Sequence, residues 1–399
     1  MNQSMTVLQL KKNEDKRLRV GHLWVYSNEI DTKATPIKSL NAGELVELHS
    51  QSGRVLGTAY ANPQSLICAR VISTRPNQVL DEDYFVQRFE SALALRTRLY
   101  AQPYYRFVFA EADRLPGLVI DRYADTCVVQ ITTAGMELAK AEILVALQKV
   151  LNPVSVLWRN DSSARAQEGL SSYIDDALGQ VPEKVTIEEA GVRYTVPLFT
   201  GQKTGWFYDQ AANRLRFRDY VKDASVLDVF AYLGGWGVGA AVAGAKSVIC
   251  VDASASAAQL ISGNAADNNV AEKVEVMQGD AFEAMKQLRD QGKTFDVVNV
   301  DPPAFIKRKK DLKNGQQAYQ RINELAMRLL ADDGILVSSS CSHHLYDDVF
   351  LRLLNRAAEK TGRQLQILEQ RYQSPDHPVH PAIQETRYLK CTILRVQKR

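Results

Sequence analysis

Along the 399 residues the spacing of apolar positions changes character twice. Over 5–73 it is short and often interrupted. Residues 43–48 alternate, Gln51-Ser52-Gly53 is a turn, and the runs at 55–60 and 65–71 are apolar and β-prone. This predicts short strands forming a small β-barrel over 1–73. Between 81 and 99, Phe85, Phe89 and Leu93 recur at helical spacing and the segment turns basic towards its end. A connecting helix within 74–99 follows from that. Strand-like runs at 105–110, 118–121 and 126–131, an amphipathic stretch over 136–151 and a further run at 154–158 predict a central α+β domain over 100–185. Residues 161–184 are polar and small, as in a surface loop.

From 185 onward the pattern becomes regular. The runs 185–189 and 192–196 flank Ala190-Gly191 and read as a hairpin. Strands at 225–230, 247–251, 274–277, 295–300 and 334–338 then alternate with helices at 237–244, 255–268, 281–290 and 317–331. Alternation of this kind means parallel βαβ units in a doubly wound sheet. A helix at 345–361 and strands at 365–370 and 388–396 close the chain, the last giving one antiparallel member. The fold class is α/β, with the doubly wound domain over 186–399.

Composition narrows the class. Hydrophobic residues make up 45% and charged residues 24%, an ordinary globular mixture, and no internal repeat is visible. No apolar run approaches the ~20 residues that a membrane span needs. Met1-Asn2-Gln3-Ser4-Met5 lacks an apolar signal core and polar Lys11-Lys12-Asn13-Glu14 follows, so a cytoplasmic location with no membrane partner is expected. The five cysteines are scattered and form no CxxC pair, which suggests neither a disulfide framework nor a metal site. Net charge is only +3, but residues 1–80 hold ten Lys and Arg against six Asp and Glu, and Lys307-Arg308-Lys309-Lys310 form a second basic cluster.

In an open α/β sheet, ligands sit at the carboxyl ends of the strands. The first strand leads into Asp228-Val229-Phe230-Ala231-Tyr232-Leu233-Gly234-Gly235-Trp236-Gly237, a loop whose glycines let backbone approach a bulky ligand and whose spacing differs from a pyrophosphate-binding loop. The second ends in Asp252-Ala253, where an acid can accept from ribose hydroxyls. The third leads to Asp280-Ala281, placed to accept from an adenine amino group, and the fourth to Asp301-Pro302-Pro303-Ala304-Phe305, a loop held rigid by proline. Any one acid alone suits a helix cap or turn. Acids after four consecutive strands point to a nucleoside ligand.

The fifth strand ends in Ser340-Cys341-Ser342-His343-His344 and puts a thiol at the same edge. A loop entering a helix N-terminus would lower its pKa and favour the thiolate. Cytosine C5 is a poor nucleophile, and thiolate attack at C6 makes it enamine-like. His343, His344, His377 and His380 read as cap or loop residues, since a metal needs three or four converging ligands.

The four acids resemble motifs I to IV of class I methyltransferases, which implies S-adenosyl-L-methionine as cofactor and a Rossmann-like domain. Over nearly the whole chain the sequence resembles the bacterial 23S ribosomal RNA cytosine-C5 methyltransferases of the RlmI type. The matching stretches are Gly21-His22-Leu23-Trp24-Val25-Tyr26-Ser27, Leu115-Pro116-Gly117-Leu118-Val119-Ile120-Asp121-Arg122, Gly201-Gln202-Lys203-Thr204-Gly205-Trp206-Phe207-Tyr208-Asp209-Gln210, Gly234-Gly235, Asp301-Pro302-Pro303 and Ser340-Cys341-Ser342. The resemblance implies a PUA-like RNA-binding module over 1–73, Cys341 as nucleophile, and a donor pocket drawn from Tyr208, Asp209, Gln210, Asp228, Phe230, Gly234, Asp252, Ala253, Asp280, Ala281 and Asp301. Ribosomal RNA is the implied partner, with Lys16, Arg17, Arg19, Lys307, Arg308, Lys309 and Lys310 as phosphate contacts. Trp24 is expected in the barrel core, and a homodimer is left open.

Two departures stand out. Related RNA enzymes carry a second cysteine after the fourth-strand prolines, where this chain has Pro303-Ala304; its role in product release is absent or filled otherwise, and Asp301 becomes the candidate base. Ala304 stands where many members have lysine. Two other readings remain open at this level: an RNA N-methyltransferase using the Asp301-Pro302-Pro303 loop without a thiol, and a non-catalytic RNA-binding assembly factor.

Overall fold

The structure, a computed structural model, describes residues 5–399. The chain forms two compact units. The first holds the chain as far as Val185 together with Pro197–Tyr208 and Asp376–Thr386; the second holds Thr186–Val196, Asp209–Pro375 and Arg387–Arg399.

The first unit contains two sheets. Strands β1 (Thr6–Gln9), β2 (Trp24–Tyr26), β3 (Leu45–His49), β4 (Val55–Ala61) and β5 (Ile67–Ser73) lie in the order β1-β3-β4-β5-β2, with the one-turn helix α1 (Lys16–Arg19) between β1 and β2. Alternation buries Val46, Leu48, Ala59, Ala61 and Ala69 in a common core. Helix α2 (Glu82–Leu99) starts where the Asp81 carboxylate accepts the Tyr84 N–H at 2.9 Å. Its Phe85 and Phe89 reach a second core that includes Phe107 and Ile120.

That core lies against β6 (Tyr104–Phe109), β7 (Leu118–Tyr123), β8 (Thr126–Ile131), β9 (Ser155–Asn160) and β10 (Tyr173–Leu178), whose spatial order is β10-β9-β8-β7-β6. Only β8 and β9 pair in parallel, because helices α3 (Ala134–Leu138) and α4 (Lys140–Leu151) provide the crossover between them. The predicted loop over 161–184 is corrected here: it contains the short helix α5 (Ala164–Gln167) and the strand β10. The strand escapes periodicity because it is an edge, paired only with β9, and Asp175 and Asp176 are exposed on it.

Two stretches from the predicted C-terminal domain belong to this first unit. Trp206 N–H donates to the Tyr123 hydroxyl at 2.9 Å, and that hydroxyl donates to the Thr204 carbonyl at 3.1 Å. Arg106 N–H donates to the Asp376 carboxylate at 2.8 Å, Arg96 donates to the Asp376 carbonyl at 2.8 Å, and Ile383 is buried in the barrel core. These anchors depend on contacts far apart in sequence, which periodicity cannot report.

The hairpin β11 (Lys184–Glu189) and β12 (Val192–Pro197) precedes the doubly wound part. There α6 (Ala211–Phe217), β13 (Ser225–Val229), α7 (Gly237–Val242), β14 (Ser247–Asp252), α8 (Ala255–Asp267), β15 (Val274–Gln278), α9 (Ala281–Asp290), β16 (Phe295–Val300), α10 (Leu312–Leu329), β17 (Leu330–Ser340), α11 (Asp347–Thr361), β18 (Arg363–Arg371) and β19 (Lys390–Lys398) follow in turn. The seven-stranded sheet has the order β15-β14-β13-β16-β17-β19-β18, and β19 is antiparallel to both neighbours. The order reverses between β13 and β16, so the loops after them flank the switch point where such sheets bind ligands.

Two bounds differ from the pattern. Helix α10 begins at Leu312 instead of 317, because Gly315, a poor helix former, packs where any Cβ would lie 2.8 Å from the Phe305 carbonyl oxygen. Strand β17 begins at Leu330 instead of 334; the exposed Asp332 and Asp333 look like a turn, yet they pair with Lys398 and Arg395 of β19.

Candidate active site

The loop after β13 is organised by its own acid. Asp228 is fully buried; one carboxylate oxygen accepts the Gly237 N–H at 2.8 Å and the other accepts the Asn299 side-chain N–H at 2.8 Å. Burial pushes its pKa up to about 7 against those two bonds, and the Asp301 and Asp252 charges push the same way. Between Asp228 and Gly237 the chain takes left-handed conformations at Phe230 (φ 67°), Tyr232 (φ 49°) and Gly234 (φ 80°). The glycines serve packing: a Cβ on Gly234 would lie 2.7 Å from Val238, and one on Gly237 would run into the Cys250 sulfur. Close packing of the helices accounts for Gly234 and Gly237.

At the end of β14 the half-buried Asp252 accepts Tyr232 N–H at 2.8 Å on one oxygen and Ser254 N–H at 2.9 Å on the other. Each oxygen retains a second acceptor site. Ala253 beside it is exposed. Asp280 is the N-cap of α9: one of its oxygens accepts Phe282 N–H at 2.9 Å and Glu283 N–H at 3.2 Å. Ala281 is buried behind it. Three half-buried rings gather nearby, with Phe305 6.3 Å from Phe230 and 6.3 Å from Phe282.

After β16 the acid is held differently. Asp301 accepts from the Gln210 side chain at 3.0 and 3.1 Å and from the Trp236 indole N–H at 3.1 Å. Burial pushes its pKa up to about 6; the indole bond opposes the shift, and the Asp209 charge adds to it. Gln210 is itself oriented by Asn213, whose amide donates to it at 2.7 Å. Asp209 is buried, accepts from the Tyr388 hydroxyl, and offers its carbonyl to Ser374 N–H at 2.8 Å.

Cys341 follows β17 directly and is partly exposed, with its Sγ 3.9 Å from the Pro302 carbonyl oxygen. This brings the predicted nucleophile to the Asp301-Pro302-Pro303 loop. The next residue locks the contact: the Ser342 hydroxyl accepts Ile306 N–H at 3.1 Å and meets the Tyr319 hydroxyl at 2.9 Å. The expected helix N-terminus at the thiol is a correction, since α11 starts only at Asp347. A cation stands there instead. Lys390 pairs across the sheet with Ser340, and its ammonium donates to the Ser342 carbonyl at 3.0 Å. Burial pulls its pKa down to about 8, opposed by the charges of Asp347 and Cys341. Sequence reading missed Lys390; the only signal was a lysine inside the apolar run Leu389-Lys390-Cys391-Thr392-Ile393.

The other candidates are dispersed. Tyr208 belongs to the first unit, where its hydroxyl donates to the Arg122 carbonyl at 3.0 Å. Arg17 pairs with Glu29 and lies 5.0 Å over the Tyr26 ring, and Arg19 pairs with Asp15; Lys16 is exposed. Trp24 is half-buried, packed on the edge of the barrel core, and donates to Glu111 at 2.9 Å. Lys307, Arg308, Lys309 and Lys310 are all exposed. His377 is buried on Asp376 at 2.9 Å and beside Phe109, and the His343 ring lies 5.5 Å from that of Tyr388.

Residues 8–74 match the family model of a PUA-like domain, and residues 210–366 match the model described as conserved hypothetical protein 95. The chain is 37% identical to the protein from Tolumonas auensis named ribosomal RNA large subunit methyltransferase I, over 98% of this chain and 99% of that protein. It is 39% identical to the protein of the same name from Aliivibrio fischeri, over 98% and 100%. Among solved structures, a protein from Streptococcus mutans described as a SAM-dependent methyltransferase superposes with a TM-score of 0.83 at 22% identity, covering 98% of this chain and 100% of that one.

Proposed function

The chain belongs to the ribosomal RNA large subunit methyltransferase I family, and on that premise we propose that it methylates C5 of a cytosine in large-subunit, 23S, ribosomal RNA through a covalent bond to Cys341. The observation that carries this reading is the Cys341 thiol lying 3.9 Å from the Pro302 carbonyl oxygen, on the loop that begins with Asp301.

The residues present suit S-adenosyl-L-methionine as methyl donor. Asp252 retains acceptor sites for ribose hydroxyls. The half-buried Phe230, Phe282 and Phe305 offer apolar faces to a purine, and Asp280 has one oxygen free of the cap bonds for an exocyclic amine. Asp228 supports the loop between them. When bound, the donor supplies an electrophilic methyl group.

The chain's own groups do the rest. The target cytosine is extruded from its stack, because C6 cannot be reached within a helix. The Cys341 thiolate forms a bond to C6; the C5–C6 double bond opens, and its electron pair makes C5 enamine-like. C5 is then methylated. Asp301 takes the C5 proton, the double bond re-forms, and the sulfur leaves as thiolate. With no second cysteine on the Asp-Pro-Pro loop, Asp301 is the group at hand for the proton, and a carboxyl whose pKa is about 6 is matched to that work near neutral pH. The Lys390 ammonium favours the charged form of the thiol.

A transfer to an exocyclic amine needs no thiol and leaves Cys341 without a task. Nucleoside mass spectrometry of 23S rRNA incubated with the protein and donor separates the two. The expected product is 5-methylcytosine; N4-methylcytosine or N6-methyladenine would overturn the reading.

A further inference from the structure

The first unit carries a cleft of about 380 Å³ at the end of β5, between the turn that follows it and the start of α2. Its walls bear Arg75, Arg88 and Arg114, with Gln78 and Gln87 between them, and no aspartate or glutamate among the described residues lines it. We propose that this cleft binds the phosphodiester backbone of the RNA substrate, with the three guanidinium groups on phosphate oxygens. The proposal rests on the RNA reading above and adds arginines that are not among the phosphate contacts implied by the resemblance, Lys16, Arg17, Arg19, Lys307, Arg308, Lys309 and Lys310.

The buried arginines of this unit are matched to carboxylates: Arg70 to Glu168 at 2.9 Å, Arg96 to Asp113 at 2.7 Å, Arg106 to Asp121 at 2.6 Å, Arg159 to Asp161 at 3.3 Å and Arg165 to Glu137 at 2.8 Å. Those pairs hold the fold. Arg75, Arg88 and Arg114 make no ion pair among the described residues, although all three face one concavity. Three like charges sharing a cleft repel one another unless an anion joins them.

The cleft is preorganised. The Tyr84 hydroxyl lies 3.2 Å from the Ile72 carbonyl oxygen and 3.3 Å from that of Arg114, so one side chain ties two walls together. Arg88 lies 5.4 Å over the same ring, and its guanidinium donates to the Ile72 carbonyl at 3.4 Å. Arg114 sits in the left-handed region at φ 59° as the C-cap of a short 3-10 turn, and the Arg75 carbonyl accepts from the Thr58 hydroxyl at 2.8 Å. The backbones are fixed while the Arg75 and Arg114 side chains are exposed to solvent.

Guanidinium groups grip phosphate with paired N–H bonds. The two glutamines offer both donors and acceptors, which suits ribose hydroxyls beside the phosphates. A free phosphate shares the anionic chemistry but, having no ribose hydroxyl to donate, leaves the glutamine carbonyls unused.

The test compares the full-length protein with the Arg75→Ala/Arg114→Ala double variant and with Arg75→Lys/Arg114→Lys. Both positions are exposed, and thermal unfolding checks the fold. Filter binding of unmodified 23S rRNA transcript is followed against KCl concentration, and methyl transfer is followed alongside it. The alanine variant should lower the slope of log affinity against log salt by about 2, as loss of two phosphate contacts requires. It should raise KM for the transcript about tenfold or more while kcat changes little, and the lysine variant should recover most of the slope. Unchanged slope and KM in the alanine variant would overturn the proposal. So would calorimetry in which inorganic phosphate binds the cleft and the alanine variant loses that binding while holding RNA unchanged. Binding slopes are read without catalysis, so a wild-type protein that binds the transcript but transfers no methyl group contradicts the functional reading and leaves this one to be judged by its own slope.

Discussion

The loops after β13 and β16 both carry an aspartate at the switch point, and they hold it in opposite ways. Asp228 accepts an N–H from its own loop and one from the neighbouring strand, with both carboxylate oxygens engaged inside the sheet. Asp301 is held by the side chains of Gln210 and Trp236. Burial lifts both pKa values, to about 7 and about 6. An acid that fastens its own backbone is scaffold. An acid held by side chains from elsewhere, with the Cys341 thiol lying against its loop, is positioned for chemistry.

The comparison is sharpest at Asp301. Asp301→Asn keeps an acceptor for Gln210 and Trp236 but loses the base, so kcat should fall about 10²–10⁴-fold, the usual worth of a positioned base. In the wild type the rate should rise with pH through about 6, as Asp301 loses its proton, and that limb should vanish in the variant. A variant retaining near-normal kcat would make Asp301 scaffold like Asp228.

Asp228→Asn tests the other side. An amide cannot accept from both donors with the same geometry, and the mismatch should cost about 1–3 kcal/mol of stability, read by chemical denaturation. The sign with pH follows from the raised pKa. The folded state holds the Asp228 proton more tightly than the unfolded chain, so this group's contribution is full below the ordinary carboxylate value and is lost as pH rises through about 7. The variant should flatten stability across that window. A loss of activity with no loss of stability would contradict the scaffold role.

Lys390 gives the smallest effect. Lys390→Met should slow transfer about tenfold at neutral pH, as a one-unit rise in thiol pKa would do, and Lys390→Arg should restore much of it. Because the ammonium titrates at about 8, its help to the thiolate is present below that pH and lost above it, so the Lys390→Met deficit should shrink as pH rises through about 8. A Lys390→Met deficit of the same size at every pH would remove lysine from the account.

Much of this was legible in the sequence. Period-two and helical spacing gave the doubly wound sheet, and reading past each strand found Asp228, Asp252, Asp280, Asp301 and Cys341. Spacing could not distinguish their partners: Asp280 caps α9, Asp228 fastens a loop, and the glycines near it make room for Val238 and Cys250. It also missed β10, an edge strand with exposed acids, and Lys390, whose meaning comes from pairing opposite Ser340. Arg17 and Arg19 pair with Glu29 and Asp15, which their sequence positions did not reveal, and the three arginines of the cleft lie far apart in sequence. Such facts belong to tertiary contacts, which periodicity does not encode.

The most direct test of the covalent mechanism uses 23S rRNA transcript in which cytosine is replaced by 5-fluorocytosine. Fluorine at C5 leaves no proton for the base to take, so the Cys341–C6 bond should persist after methyl transfer. The wild type should give a denaturation-resistant protein–RNA adduct whose digested peptide carries the modified nucleotide on Cys341, and Cys341→Ser should give none and lose methyl transfer. A Cys341→Ser protein that forms 5-methylcytosine at the wild-type rate would contradict the account.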